Sequence, residues 1–508
     1  MDYCIGLDIG TTSTKAIAVS TTGELLGRQV AFYETRVPQP GWAEQNPDTV
    51  VARALGAVQA LIAEANLAPT GAIALGLSSA MHSLIALDGQ GRPLTPSILW
   101  SDNRSAPQAA ALRQLPQAQA LYERVGTPLH PMLPLAKLLW LQQAEPAIFR
   151  RSHKFVSIKE YLLQQLCGEA VIDTSIASAT GLFNLRQNAW DREALAIAGI
   201  APVQLSELVP TTHCLGGLTA AWAKTLGLRA DLPVVVGASD GVLANLGVGA
   251  IAPDQVAITL GTSAAVRATV SQPQTDPHQR TFCYALTADR WVVGGASNSG
   301  GVVLEWFRDQ LAQPEVMAAL EAGQDAYEAL IAGAASIAPG AEGLLFLPFL
   351  TGERSPYWNP AARGAFLGLA SHHRRSHLTR AVLEGIVLNL AAIYRTLPLP
   401  TAVSEVRAAG GFARSPLWKQ MLADGLGVEV AIPAVYDASS WGAALLALHA
   451  VGWLPDLSAV QSFTPIYERF SPDPDRTQRY RELFRLYESA YHSLESTFSA
   501  LAAWQTQG

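Results

Sequence analysis

The chain of 508 residues is short of cysteine, short of charge and without a basic excess, and each shortage removes a class of function. Cysteine occurs four times, as Cys4, Cys167, Cys214 and Cys283, far apart and never as a CxxC pair. That spacing signals neither a zinc site nor a disulfide framework, and reduced core thiols are expected. Lys and Arg number 35 against 42 Asp and Glu, a net charge of −7. Nucleic acids and anionic membranes are held by basic faces that release counterions, so neither is an expected partner. Long apolar runs are missing as well: the uncharged stretch 71–87 is broken by Ser78, Ser79, His82 and Ser83 and makes a poor membrane span. The first eight residues have no basic n-region and carry Asp2 and Asp8, which argues against a secretory signal and makes the cytoplasm the expected compartment.

What is present points to a large folded protein. Hydrophobic residues make up 49% and charged residues 15%, with 41 Gly and 31 Pro dispersed along the chain, which excludes disorder and coiled coil. At about 150 residues per domain the length suits roughly two to four domains. The opening segment Tyr3–Gly10 reads as a short apolar strand, followed by Thr11-Thr12-Ser13-Thr14-Lys15 and a second apolar strand, a β-hairpin with a Gly/Thr-rich tip. The pattern recurs at Val256–Leu260, Gly261-Thr262-Ser263 and Ala264–Arg267, and two such hairpins half a chain apart suggest internal duplication. Pro47–Asn66 has helical spacing, and Leu232–Gly237 is a continuous apolar run typical of a strand covered on both faces. Alternating strands and helices give an α/β architecture, with domains expected over 1–246 and 247–508. Near the C-terminus, Tyr487, Tyr491, Leu494, Phe498 and Leu501 fall on one face of an amphipathic helix over 475–504.

Three glycine-rich elements could carry chemistry. Gly10, Thr11, Thr12, Ser13 and Lys15 offer backbone N–H groups, hydroxyls and an ammonium beside the Asp8 carboxylate, although an ordinary polar hairpin is as good an account of that segment alone. The spacing is not that of a Walker loop. Gly261 and Thr262 repeat the tip, which favours phosphate binding, since two facing tips can clamp a nucleotide. The third element, Gly410-Gly411 with Arg414, follows a strand-like run and allows close approach of a flat ligand such as adenosine. A lone Gly-Gly is more often only a turn.

The order Asp8-x-Gly-Thr-Thr, Met81-His82, Trp100-Ser101-Asp102-Asn103-Arg104, Gly237-Ala238-Ser239-Asp240-Gly241, Gly261-Thr262-Ser263 and Gly410-Gly411-Phe412 resembles the FGGY carbohydrate kinases, members of the actin/sugar-kinase/Hsp70 superfamily. One family signature is matched by Gly364–Leu369 with His377-Leu378 and Ala381–Glu384. The other, Met132-x-Pro134-x-x-Lys137-Leu138-x-Trp140-Leu141, departs at Ala144. Within the family the segments 43–48, 78–83, 126–132, 158–161 and 352–360 are similar to bacterial gluconokinases, and Ser83 and Asn103 differ from the usual xylulokinase pattern.

The resemblance implies two ribonuclease-H-like domains with a catalytic cleft between them, ATP and Mg2+ as cofactors, and a small-molecule substrate. It implies Asp240 as the general base taking the sugar's hydroxyl proton, with Asp8 and Asp240 as the metal-associated carboxylates. Met81, His82, Trp100 and Asp102 would meet the sugar. Gluconate carries a carboxylate, for which Lys159 is the first choice and Arg104, Arg354 and His130 the others. The expected reaction is phosphorylation of D-gluconate to 6-phospho-D-gluconate. Another sugar or polyol such as D-xylulose, and a noncatalytic nucleotide switch on the same fold, are the alternatives, and a homodimer is left open.

Overall fold

Tyr3–Ile9 is apolar except for Asp8, and it forms a strand buried along its whole length. It pairs antiparallel with Ser13–Ser20, so the expected hairpin forms, with Asp8 opposite Lys15 in the ladder. Its other edge takes Ala72–Ser79 in parallel, and that strand takes Val234–Ser239, also in parallel. The full six-stranded order is Cys214–Leu215, Val234–Ser239, Ala72–Ser79, Tyr3–Ile9, Ser13–Ser20 and Leu25–Phe32. Parallel strands need both faces covered, which is why their sequences run apolar without alternation. Helix Pro47–Glu64 buries Val50, Ala54, Val58 and Leu61, and Asn46 caps it by accepting from the Thr49 N–H at 3.0 Å. Such a cap contributes about 1 kcal/mol.

This computed structural model describes residues 1–435 and 437–505, and the chain divides into two compact units. The first comprises Met1–Ile251, Thr269–Val293 and Asp437–Pro465; the second comprises Ala252–Ala268, Gly294–Tyr436 and Ile466–Gly508. The segment Asp437–Pro465 thereby joins the first unit, although it lies late in the chain. The physical reason lies in helix Ala438–Ala450, which packs on strands Tyr3–Ile9 and Ala72–Ser79 and on helix Asp240–Gly247. The strands admit it through glycine: a Cβ at Gly6 would stand 2.0 Å from the Ser440 carbonyl oxygen, and one at Gly76 2.3 Å from that of Ala443.

The second unit repeats the strand plan of the first. The seven-stranded sheet runs Phe282–Thr287, Arg290–Ser297, Ala264–Val270, Gln255–Leu260, Glu405–Ala409, Glu429–Pro433 and Ile466–Phe470. Again an antiparallel hairpin is followed by two parallel neighbours and an antiparallel edge strand. The C-terminal helix spans Pro474–Gln505 and buries Tyr487, Tyr491 and Phe498 against Leu345, Leu347 and Leu388, whereas Leu501 is exposed. Cys4 and Cys283 are buried free thiols, but Cys214 lies exposed on an edge strand and departs from the expectation of a core thiol. Among the described residues no helix is long and apolar enough to cross a membrane.

Candidate active site

In the first unit, three parallel strands end on the side of the sheet where the first hairpin turns, the edge at which open α/β sheets bind ligands. Asp8 closes the first of these strands. Its carboxyl is buried, and Ser78, its partner in the ladder, donates from Oγ to Oδ1 at 2.6 Å. Burial pushes the Asp8 pKa up; the Ser78 hydrogen bond and Lys15 oppose that, and Asp437 adds to it. The Lys15 ammonium lies 3.3 Å from Asp437, which also pairs with Arg28.

At the tip, the Gly10 N–H donates to the Ser13 carbonyl at 3.1 Å, Thr12 is exposed and Ser13 is buried. The Tyr33 hydroxyl donates to the Gly10 carbonyl at 2.5 Å. Burial raises its pKa, and the charges of Asp8 and Asp240 raise it further, so both acids lie within electrostatic reach of one phenol. The tip is tied to the 97–104 segment by the indole N–H of Trp100, which donates to Thr11 Oγ1 at 2.8 Å.

Asp240 reaches this place by a break in the third strand. Gly237 sits at φ +68°, and the ladder with Ala72–Ser79 shifts register between Val235 and Ala238. A Cβ at Gly237 would stand 1.7 Å from the Leu77 carbonyl oxygen, so only glycine permits the bulge. Helix Asp240–Gly247 begins immediately after. Ser239 is its N-cap residue and Asp240 its first, half-buried member, accepting from the Gly241 N–H at 2.7 Å. Asp240 is therefore not the capping residue that an Asp before a helix usually is.

Asp8 and Asp240 offer the hard oxygen donors that Mg2+ takes. Among the described residues no three His, Cys, Asp or Glu gather as a metal cage, so the donor set suits an ion that keeps much of its water shell.

His82 follows the half-buried Met81 and sits at φ +67° with its ring buried. Nδ1 lies 2.6 Å from the Ala179 carbonyl; a carbonyl only accepts, so Nδ1 carries a proton. In the neutral ring Nε2 is then the acceptor, 3.4 Å from the Tyr284 hydroxyl. The buried ammonium of Lys137 donates to the His82 carbonyl at 2.5 Å and to that of Ile98 at 3.3 Å. Burial pushes its pKa down to about 7.

Two expected substrate residues, Asp102 and Lys159, are buried among charged partners of their own. Asp102 is 0% exposed and accepts from the Ala43 N–H at 2.6 Å, from the Arg104 N–H at 2.9 Å and from Arg104 Nε at 2.9 and 3.0 Å. Its carboxylate thus pairs with Arg104. Arg104 also pairs with Glu44 at 2.8 Å and lies 3.7 Å above the Trp42 ring. Lys159 is 1% exposed, 2.6 Å from Asp173, and donates to the Ala238 carbonyl at 3.0 Å. Of the four cations expected for a substrate carboxylate, Lys159 and Arg104 are thus already neutralised by buried acids. His130 accepts from the Met132 N–H at 3.2 Å, and Arg354, in the second unit, donates to Asn298 Oδ1 at 2.8 Å.

The second unit encloses a mainly apolar cavity of about 630 Å3 that collects four of the expected nucleotide residues: Gly261, Thr262, Gly411 and Arg414. Gly410 supports its wall at φ +123°, where a Cβ would stand 2.1 Å from the Leu260 carbonyl oxygen. Helix Gly301–Leu311 starts against the hairpin tip: the Gly301 and Val302 N–H groups donate to the Gly261 and Thr262 carbonyls at 2.7 and 3.1 Å. Tyr327 and Trp418 add aromatic wall. Sequence reasoning missed Tyr33, Ser78, Asp173, Tyr284 and Asp437 as members of the first site. Asp437 did carry a signal, since it stands between a strand and a helix rich in small residues, as Asp240 does.

Comparison with known proteins identifies the family. The model of the FGGY family of carbohydrate kinases, N-terminal domain, matches residues 3–247, and that of the C-terminal domain matches 256–451. A gluconokinase of Bacillus subtilis is 42% identical over 99% of this chain and 98% of its own. A xylulose kinase of Escherichia coli is 33% identical over 95% of this chain and 98% of its own. The crystal structure of a gluconate kinase from Lactobacillus acidophilus superposes with a TM-score of 0.93 at 32% identity, covering 98% of this chain and 99% of that one.

Proposed function

The chain belongs to the FGGY family of carbohydrate kinases, and on that premise we propose that it phosphorylates D-gluconate at the expense of ATP, giving 6-phospho-D-gluconate and ADP. The observation that carries the chemistry is that Asp8 and Asp240 stand at the same ends of parallel strands flanking Ala72–Ser79, Asp8 opposite Ser78 and Asp240 next to Ser239, which is opposite Ser79. Asp240 accepts the proton of the attacking hydroxyl as the bond to phosphorus forms. A base so placed contributes roughly 10²- to 10⁴-fold. Asp8, with Asp240, would hold Mg2+, which would supply neutralisation of charge on the transferring phosphoryl group. Gly10, Thr11, Thr12, Ser13 and Lys15 line the phosphate side. In the second unit, Gly261, Thr262, Gly410, Gly411 and Arg414 receive the nucleotide, whose base suits the apolar cavity. Met81, His82 and Trp100 orient the sugar acid, with His82 Nε2 and the Trp100 ring as its polar and apolar contacts.

The substrate is supported by the higher identity to a gluconokinase, 42% against 33% for a xylulose kinase, over nearly the same span. The same numbers make D-xylulose the second reading. Coupled measurement of ADP formation with gluconate, xylulose and glycerol decides between them. Gluconate should give much the highest kcat/KM; a preference for the ketose overturns the substrate and keeps the kinase. ATP turnover indifferent to every sugar would instead favour a nucleotide switch.

A further inference from the structure

Lys159 stands where local energetics give no reason for a cation. It is the second residue of helix Ile158–Cys167, at the positive end of the helix dipole. It is also fully buried. The helix start is already served by a capping box between Ser157 and Glu160. A buried ion pair is moreover a poor stabiliser, since apolar residues of similar volume often do as well. What distinguishes the pair is the backbone that it grips.

Lys159 Nζ donates to the carbonyl of Ala238, two residues before Asp240 and just past the bulge at Gly237. Its partner Asp173 caps the short helix Thr174–Ser178, accepting from the Ile176 N–H at 2.9 Å. From that helix Ser175 Oγ accepts from the Ser239 N–H at 3.2 Å and lies 3.2 Å from Ser239 Oγ. Both residues that lead into Asp240, which the ladder pairs again with Ser78 and Ser79 beyond the bulge, are therefore also held from one buried cluster. Burial pushes the Lys159 pKa down, and the charges of Asp173, Glu160 and Asp240 act against that, so the ammonium and the Asp240 carboxylate feel each other.

We propose that the Lys159–Asp173 pair is a positioning device for Asp240, holding the Ala238–Ser239 backbone so that the carboxylate meets the reacting hydroxyl. The inference rests on Asp240 being the general base. Misplacement of a reacting group by about 1 Å costs on the order of 10²-fold in rate. Lys159→Met should therefore lower kcat by roughly 10- to 100-fold and leave KM for gluconate and for ATP within about twofold.

The test is a double-mutant cycle. Lys159→Met is measured alone and in the Asp240→Asn background, by steady-state and single-turnover kinetics. Removing one charge of a buried pair strands the other, so Lys159→Met/Asp173→Asn, which removes both, is carried through the same cycle in case the single variant does not fold. Support is a kcat loss in the parent that disappears when Asp240→Asn is already present, because a device acting through a carboxylate has nothing to act on without it. Losses that multiply in the two backgrounds would overturn the inference and leave the pair a general part of the fold. So would a raised KM for gluconate at unchanged kcat, which would return Lys159 to the substrate. Full turnover in Asp240→Asn alone removes the reading of the base, and with it the inference; that outcome is separate from the others, because it is read before Lys159 is changed.

Discussion

The two hairpin tips have nearly the same sequence and nearly opposite surroundings. In the first, Asp8 stands two residues before Gly10; in the second the corresponding position before Gly261 is Thr259, whose hydroxyl accepts from Arg267 at 3.1 Å. The first tip is set among buried charges, with Asp8 on Ser78, Lys15 on Asp437 and Tyr33 beneath the Gly10 carbonyl. The second is backed by a helix N-terminus and faces an apolar cavity. On the proposed function, one residue near the end of a strand separates a tip for metal and proton chemistry from one that holds a nucleotide. The strand plan occurs twice, and the difference lies in what packs behind each tip.

The sharpest way to break this contrast is Asp240→Asn. Turnover should fall by roughly 10²- to 10⁴-fold while ATP still binds and the fold persists, measured by kcat, nucleotide titration and circular dichroism. Turnover near the parent value would remove proton chemistry from the first tip. Next in size is Gly410→Ala in the second unit. Its positive φ and the close Leu260 carbonyl make any side chain strained, by about 1–3 kcal/mol. KM for ATP should rise by roughly tenfold with KM for gluconate unmoved; a rise in both would deny the division of labour.

The buried charges of the first unit should also be where pH acts on stability. Burial pushes the Glu160 carboxyl up to about 7 from 4.5. Between those values the folded chain binds more protons than the unfolded one, so this group's stabilising contribution is complete at the acid end and is lost as pH rises through the window. Glu160→Gln should remove roughly 3 kcal/mol of the change in unfolding free energy across that window, read from urea titrations at several pH values. An unchanged slope would mean that Glu160 titrates normally. The smallest effect is expected from Thr259→Val at the second tip, with kcat changed by less than about twofold, since no proton or metal is handled there; a loss comparable to that of Asp8→Asn would erase the distinction.

Much of this was legible before the fold was seen. Two apolar strands around a Gly/Thr tip, repeated, announce the paired hairpins, and an Asp after a continuous apolar run announces Asp240. The pairing of Lys159 was not legible, because Asp173 lies on another element, where it caps a short helix. Asp102 looked available for a sugar because Arg104, two residues on, was not seen to fold back onto it between Trp42 and Trp140. The interleaving of the units was hidden altogether. Nothing in the pattern of helix Ala438–Ala450 says which sheet it will cover; that is decided by the absence of side chains at Gly6 and Gly76, two positions remote in sequence.

That helix has a consequence for synthesis. The first unit includes the strand Tyr3–Ile9, yet the surface around Gly6 and Gly76 waits for a segment that leaves the ribosome only after most of the second unit has been made. The unit that starts first is finished late, and until then it presents an apolar sheet face with grooves shaped for a backbone. A nascent chain in that state is a substrate for holding chaperones, and a fragment ending at Ile251 would keep the sheet without its cover.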